Sequence, residues 1–240
     1  IKERHLLRER LRGALQSVYD MERLAARISM GMANARDLIA LKVSLQALPD
    51  LKNTTDELSS PLIRSLAAGI DPMEDIRDRI ENSILDDPPP TLREGGMIQE
   101  GVDPELDRLL SITRDGKKWI ASLEAKERQA TGINTLKIGF NNVFGYYIEV
   151  TKANAGSVPE SYVRKQTLVN AERYINQELK EFEQTVLNAE EKIRERENEI
   201  FNQLRDDLMP HIPEIQYNAY RVAELDAFCS LSEVAEKHSF

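Results

Sequence analysis

Two long, charge-rich helical stretches flank a segment that cannot continue them, and this break constrains the fold more than any other feature. Leu136–Val150 reads Leu-Lys-Ile-Gly-Phe-Asn-Asn-Val-Phe-Gly-Tyr-Tyr-Ile-Glu-Val, and Arg164–Tyr174 reads Arg-Lys-Gln-Thr-Leu-Val-Asn-Ala-Glu-Arg-Tyr. Val143, Tyr146, Tyr147, Ile148 and Val150 favour extended backbone, while Asn141 and Asn142 tolerate turn geometry. The first stretch therefore predicts a β-hairpin, with a four-residue loop around Asn142.

Upstream, Asp103-Pro104-Glu105 opens a helix with a side-chain cap, a proline at the first helical position and acid in the first turn. Leu106, Leu109, Ile112, Trp119 and Leu123 carry it to about Ala130, with a bend expected where Asp115-Gly116 lowers helix propensity by about 1 kcal/mol. Downstream, Leu179, Phe182, Val186, Ala189, Ile193, Ile200, Leu204 and Leu208 recur near heptad spacing through the 33 residues from Asn176 to Leu208. At about 1.5 Å per residue that helix would be roughly 50 Å long. One helix entering and one leaving a β insert should pair antiparallel, as a stalk with the insert at its tip.

The remainder predicts an α-helical body. Ile1 onward already reads as mid-helix, as in an excised piece of something longer. Periodicity continues through Val18, Leu24 and Ile28, then restarts after a candidate cap at Asn34 with Leu38, Leu41, Leu45 and Leu48 on one face, until Pro49 stops it. Shorter helices are expected at Pro61–Ala68 and Pro72–Leu85. The Pro- and Gly-rich run from Asp86 to Gly101 serves as an irregular crossover. Met209-Pro-His-Ile-Pro213 ends the second stalk helix, and Ala219–Lys237 forms a last helix. The expected fold is thus mainly α, α+β overall: helical core and first stalk helix over 1–131, β-rich insert over 132–176, second stalk helix and return to the core over 177–240.

Composition narrows the chemistry. The lone Cys229 forms no internal disulfide or thiolate cluster and reads as a buried structural thiol. His5, His211 and His238 form no ligand pair, so no metal site is expected. No apolar run reaches bilayer length and no signal peptide opens the chain, so a soluble, cytoplasmic setting is expected. The net charge of −9 hides a local inversion: residues 132–176 hold five cations against three anions. A weakly basic insert on an acidic support fits contact with phosphate at one place.

The insert gathers Asn141, Asn142, Lys152, Asn154, Ser157, Arg164, Lys165, Gln166, Thr167 and Asn170, donors suited to phosphate and sugar oxygens. The same residues would serve equally as the solvated face of a small sheet. Phe140, Phe144, Tyr146, Tyr147, Tyr162 and Tyr174 could stack on bases or supply the insert's own core, and the core is the expected use. The acids at Glu100, Asp103, Glu105 and Asp107 suit a helix start, and Glu190-Glu191 and Glu195–Glu199 read as the solvated face of the long helix. No nucleophilic triad, and no Gly-x-x-x-x-Gly-Lys-Ser/Thr phosphate cradle, occurs in the sequence, so no catalytic residue is assigned.

Val18-Tyr-Asp-Met-Glu-Arg-Leu24, Asn34-Ala-Arg-Asp-Leu-Ile-Ala-Leu-Lys42, Gly101-Val-Asp-Pro-Glu-Leu-Asp107, Gly139–Val150 and Arg164–Tyr174, taken together and in order, resemble the bacterial MutS family of DNA mismatch-repair proteins. The resemblance covers nearly the whole chain and corresponds to the family's core with lever helices and its clamp. It implies a homodimer whose clamps close around double-stranded DNA, with ATP and Mg bound in another part of the full-length protein, a MutL-type partner, and a cytoplasmic, nucleoid-associated location. This segment itself would bind no cofactor and would not be an enzyme. Carried over position by position, Arg164, Lys165, Gln166, Thr167 and Asn170 are the leading backbone-contact residues, followed by Asn141, Asn142 and Lys152. Val169 stands where some relatives place a lysine, which lowers the electrostatic attraction. The other reading is a coiled-coil scaffold whose β-rich tip binds a protein, which an exposed apolar patch on the tip would favour.

Overall fold

The computed structural model describes residues 5–239. Residues 1–4, where the mid-helix reading begins, lie outside the described region. The chain divides into two compact units, one of residues 103–196 and the other of the segments that precede and follow them.

The flanking unit is helical. α1 (His5–Gln16), α2 (Met21–Ser29), α3 (Ala35–Asp56), α4 (Pro61–Ala68), α5 (Glu74–Glu81) and the C-terminal α8 (Ile212–Lys237) pack around Leu11, Leu24, Ile28, Leu38, Leu41, Leu45, Leu48, Leu51 and Ile80, all fully buried. Asn34 caps α3 in a reciprocal box: its side chain accepts from Asp37 N–H at 2.9 Å, and the Asp37 carboxylate accepts from Asn34 N–H at 2.9 Å.

Local signals and packing disagree at three places here. The first helical run is broken at residues 17–20, where Asp20 starts a new helix by accepting from Arg23 N–H at 2.9 Å. Pro49 does not stop α3, which runs on to Asp56. Proline forfeits one backbone hydrogen bond, but the burial of Leu48, Leu51, Thr54 and Thr55 holds the next two turns in place. The last helix begins at Ile212, well before Ala219, because Pro213 falls in its first turn, where a missing N–H costs nothing. Cys229 is buried in α8 as expected, and burial pushes its thiol pKa up.

The unit formed by residues 103–196 holds α6 (Pro104–Thr131), four strands and the first part of α7 (Gln177–Leu208). Contacts along α6 and α7 run in opposite senses: Lys126 meets Glu178, the Trp119 ring stacks on Phe182 at 4.0 Å, and Asp103 meets Arg196. The pair is therefore antiparallel, as the heptad spacing predicted. Gly116 sits where a β-carbon would lie 3.1 Å from the Phe182 ring. The glycine that weakens the helix thus admits the aromatic stack beside it.

Between the helices, β1 (Lys137–Asn141), β2 (Gly145–Thr151), β3 (Val163–Thr167) and β4 (Ala171–Ile175) form one antiparallel sheet in the order β1-β2-β4-β3. Its core joins Ile148, Val150, Tyr162, Tyr174 and Ile175 to Leu123 and Leu179 of the helices. Asn141 pairs with Gly145, leaving three residues in the β1–β2 turn instead of four. Gly145, at φ 72°, takes up the left-handed conformation the shorter turn requires.

Candidate nucleic-acid interface

Strand alternation sorts the insert's side chains before any function is considered. Ile148, Val150 and Tyr174 face the helices. On the opposite face a row crosses the whole sheet: Lys137, Glu149, Arg173 and Gln166, from β1, β2, β4 and β3 respectively, with the Gly139–Tyr147 pair on the same face and Tyr147 diagonal to Arg173. The Arg173 guanidinium stacks 4.0 Å over the Tyr147 ring, and donates from Nε to Glu149 at 2.9 Å and from Nη1 to the Gln166 side-chain oxygen at 3.1 Å. A β-carbon on Gly139 would lie 2.8 Å from Tyr147, so glycine is needed for the ring to lie flat there. This row stiffens the sheet and occupies the amide oxygen of Gln166.

The eight polar positions do not converge on one spot. Lys152, Thr167 and Asn170 lie at one end of the sheet, where Lys152 N–H donates to the Asn170 carbonyl at 3.1 Å; all three are exposed. Exposed Val169 sits beside them in the β3–β4 turn. Asn141 and Asn142 lie in or next to the β1–β2 turn, at the opposite end of the seven-residue strand β2, about 20 Å away. The Asn141 side chain is spent on the turn itself, accepting from Val143 N–H at 2.8 Å. Arg164 projects from the outer strand β3, its side chain 61% exposed and 3.7 Å from Glu172. Lys165 is drawn inward, donating to the Phe144 carbonyl at 2.8 Å.

The aromatics also divide. Tyr162 and Tyr174 are buried, and Tyr146 packs on Phe182 with ring centroids 5.6 Å apart, as a core requires. Phe140, Val143 and Phe144, by contrast, are 52%, 81% and 41% exposed around the β1–β2 turn.

Two carboxylates of the charged helices are interior: Glu127, and Glu197 from the Glu195–Glu199 run expected on the solvated face. Glu127 of α6 accepts from the Tyr162 hydroxyl at 2.5 Å and from the Asn176 amide at 2.8 Å, tying the end of one helix to the sheet and to the start of the other. Burial, together with this bond, pushes the Tyr162 pKa upward. Glu197 of α7 is 1% exposed and accepts from the backbone N–H groups of Gly96, Met97 and Ile98 at 2.7, 3.0 and 3.2 Å. The Gly-rich crossover is therefore an anion cradle after all, but one already filled by a side chain of the protein. The only sequence hint was the positive-φ demand of Gly95-Gly96.

Among the described residues no helix is long and apolar enough to cross a membrane, and no group of three or more His, Cys, Asp or Glu is placed to hold a metal ion.

Residues 101–192 match the MutS family domain IV. The chain is 49% identical over 237 residues to the DNA mismatch repair protein MutS of Symbiobacterium thermophilum, covering 99% of this chain and 27% of that protein. It is 50% identical over 236 residues to the MutS of Brevibacillus brevis, covering 98% and 27%, and 49% identical over 239 residues to that of Geobacillus kaustophilus, covering 99% and 26%. The chain thus spans about a quarter of the length of these curated relatives.

Proposed function

Because the chain belongs to the MutS family, we propose that its four-stranded sheet is a clamp that holds duplex DNA by the phosphate backbone, and that α6 and α7 are the levers that move it. The observation that carries this reading is the sheet end where Lys152, Thr167 and Asn170 stand exposed together, with Arg164 beside them on β3. Cation, hydroxyl and amide donors without a groove-entering helix suit phosphate and sugar oxygens, contacts that position a protein without reading sequence. The unbroken 32-residue α7 supports the lever role, since a continuous helix can carry a displacement along its length. In the full-length protein, ATP bound elsewhere would drive that displacement, a second subunit would close the clamp around DNA, and a MutL-type protein would follow. The outward donors assigned to phosphate are Arg164, Thr167, Asn170 and Lys152, with Asn142 at the opposite turn, while the side chains of Gln166, Asn141 and Lys165 are engaged within the sheet.

Duplex binding by the full-length protein tests this. Charge reversal at Arg164 and Lys152 (R164E, K152E) should weaken perfectly paired and mismatched duplexes by similar factors, leaving mismatch preference intact. Selective loss of mismatch affinity would show that the sheet reads bases.

A second reading has one specific observation in its favour. Phe140, Val143 and Phe144 leave apolar surface at the β1–β2 turn, which suits a protein partner. Val143→Asp would then abolish protein association while sparing duplex affinity.

A further inference from the structure

We infer that Lys165 is a positioning residue, not a phosphate ligand: it locks the two hairpins of the sheet to α7, an inference that rests on the DNA-clamp reading for its consequence but not for its geometry. Strand β3 pairs Arg164 with Tyr174 and Gln166 with Arg173, so Lys165 is the extra residue of a β-bulge. A bulge re-aims the side chain it carries. Here the ammonium reaches past β4 to the far hairpin, donating to the Phe144 carbonyl at 2.8 Å and the Tyr146 carbonyl at 3.5 Å.

The anchor on the other side is Glu183 of α7. Its Oε1 accepts from Tyr146 N–H at 2.8 Å, and its Oε2 lies 3.7 Å from the Lys165 ammonium. The fit against the turn is close: a β-carbon on Gly145 would lie 1.6 Å from Glu183 Oε1. Both side chains are largely shielded, with 25% of Lys165 and 15% of Glu183 exposed, in contrast to the 61% of Arg164 next door. A cation satisfied by two carbonyls and a carboxylate has little to gain from a phosphate, and its charge is already compensated. Three elements meet at this one ammonium: the β1–β2 turn, the bulged strand that carries Arg164, and the helix. Motion of α7 at Glu183 is therefore felt by both hairpins at once.

The two roles separate in the salt dependence of binding. Each phosphate neutralised contributes about 0.9 to the slope of log K against log salt. In the full-length protein, Arg164→Met should reduce that slope by about 0.9, whereas Lys165→Met should weaken binding with the slope unchanged. Lys165→Arg, which keeps donors for the carbonyls, should restore affinity. Without DNA, Lys165→Met should speed hydrogen exchange of the Tyr146 amide roughly tenfold, as loss of a charge-assisted contact would. Glu183→Gln, which retains an acceptor for that amide and preserves the turn, should lower affinity by a factor that does not multiply with that of Lys165→Met, because both break one lock. Unchanged Tyr146 exchange in Lys165→Met overturns the inference. So does a slope reduced by about 0.9 in that variant. If the parent protein shows no salt-sensitive duplex binding, the DNA-clamp reading fails, and the exchange measurement still decides whether Lys165 holds the turn.

Discussion

Glu197 in the helical body and Glu127 beside the sheet are both buried carboxylates on long, highly charged helices, yet they are satisfied in different ways. Glu197 takes three backbone N–H groups from the glycine-rich crossover, so it fixes a loop that pairs through one isolated antiparallel bridge, Ile98 with Ile84. Glu127 takes one hydroxyl and one amide from side chains, so it fixes the junction of elements that already have their own ladders and cores. The first carboxylate creates local order and the second aligns order that exists. Removing them should therefore have unequal effects.

The largest effect is expected from Glu197→Ala. It leaves three amides without an acceptor, each worth roughly 1–3 kcal/mol when buried, and partial hydration should bring the total to about 3–5 kcal/mol. Hydrogen exchange should rise sharply at residues 96–98, with the sheet amides unchanged. Exchange rising equally in both regions would break the contrast between the two glutamates. Glu127→Ala should cost less, about 2–3 kcal/mol, because it leaves two donors without an acceptor instead of three, and the part-buried Asn176 amide can recover bonding to water. Glu127→Gln keeps an acceptor for Tyr162 and should be milder still. Urea midpoints of the three variants, measured together, rank them.

Gly145→Ala comes next. The left-handed backbone there costs an alanine roughly 1–2 kcal/mol, and Glu183 must also leave the turn. Exchange at Tyr146 should rise while residues 96–98 stay protected. A neutral outcome would mean that the turn relaxes to the four-residue form that the Asn-Asn pair suggested.

These contrasts also explain what the sequence could reveal. The antiparallel pair α6 and α7 was legible because apolar residues at heptad spacing leave no other face to bury, and the sheet because β-branched and aromatic residues interrupt that spacing. The Asp103 and Asn34 caps were legible because capping is local chemistry. Pro49 misled because propensity counts only the lost hydrogen bond, whereas burial of Leu51 and its neighbours is a tertiary quantity. Glu197 and Glu127 were illegible because a glutamate on a charged helix looks the same whether its partner is water or an amide a hundred residues away. The polar residues of the insert were found by type, but their division between two ends of the sheet follows from strand order, and the inward turn of Lys165 follows from a bulge. Neither has a local signature.

The smallest effect, and the finest test, concerns Asp103, a carboxylate that combines both modes. It accepts from the Arg196 guanidinium at 2.7 and 3.1 Å and from Leu106 N–H at 2.8 Å, so side chain and backbone share it. The Arg196 bonds first, then the cap bond, lower its pKa from the ordinary 3.8 to about 2. A carboxylate whose folded pKa is depressed stabilises the fold above its unfolded pKa, and that contribution disappears as pH falls through the folded value. Stability attributable to Asp103 should hence be complete above about pH 4, decline below it, and be gone beneath about pH 2. In Asp103→Asn the decline assigned to this residue should vanish, leaving a flatter acid limb and only a slight loss near neutrality, since an asparagine still caps the helix. Carboxyl-carbon NMR titration reads the group directly. A midpoint near 2 sustains the shared-partner account, and a midpoint near the ordinary 3.8 would mean that neither Arg196 nor the cap bond holds Asp103 in solution.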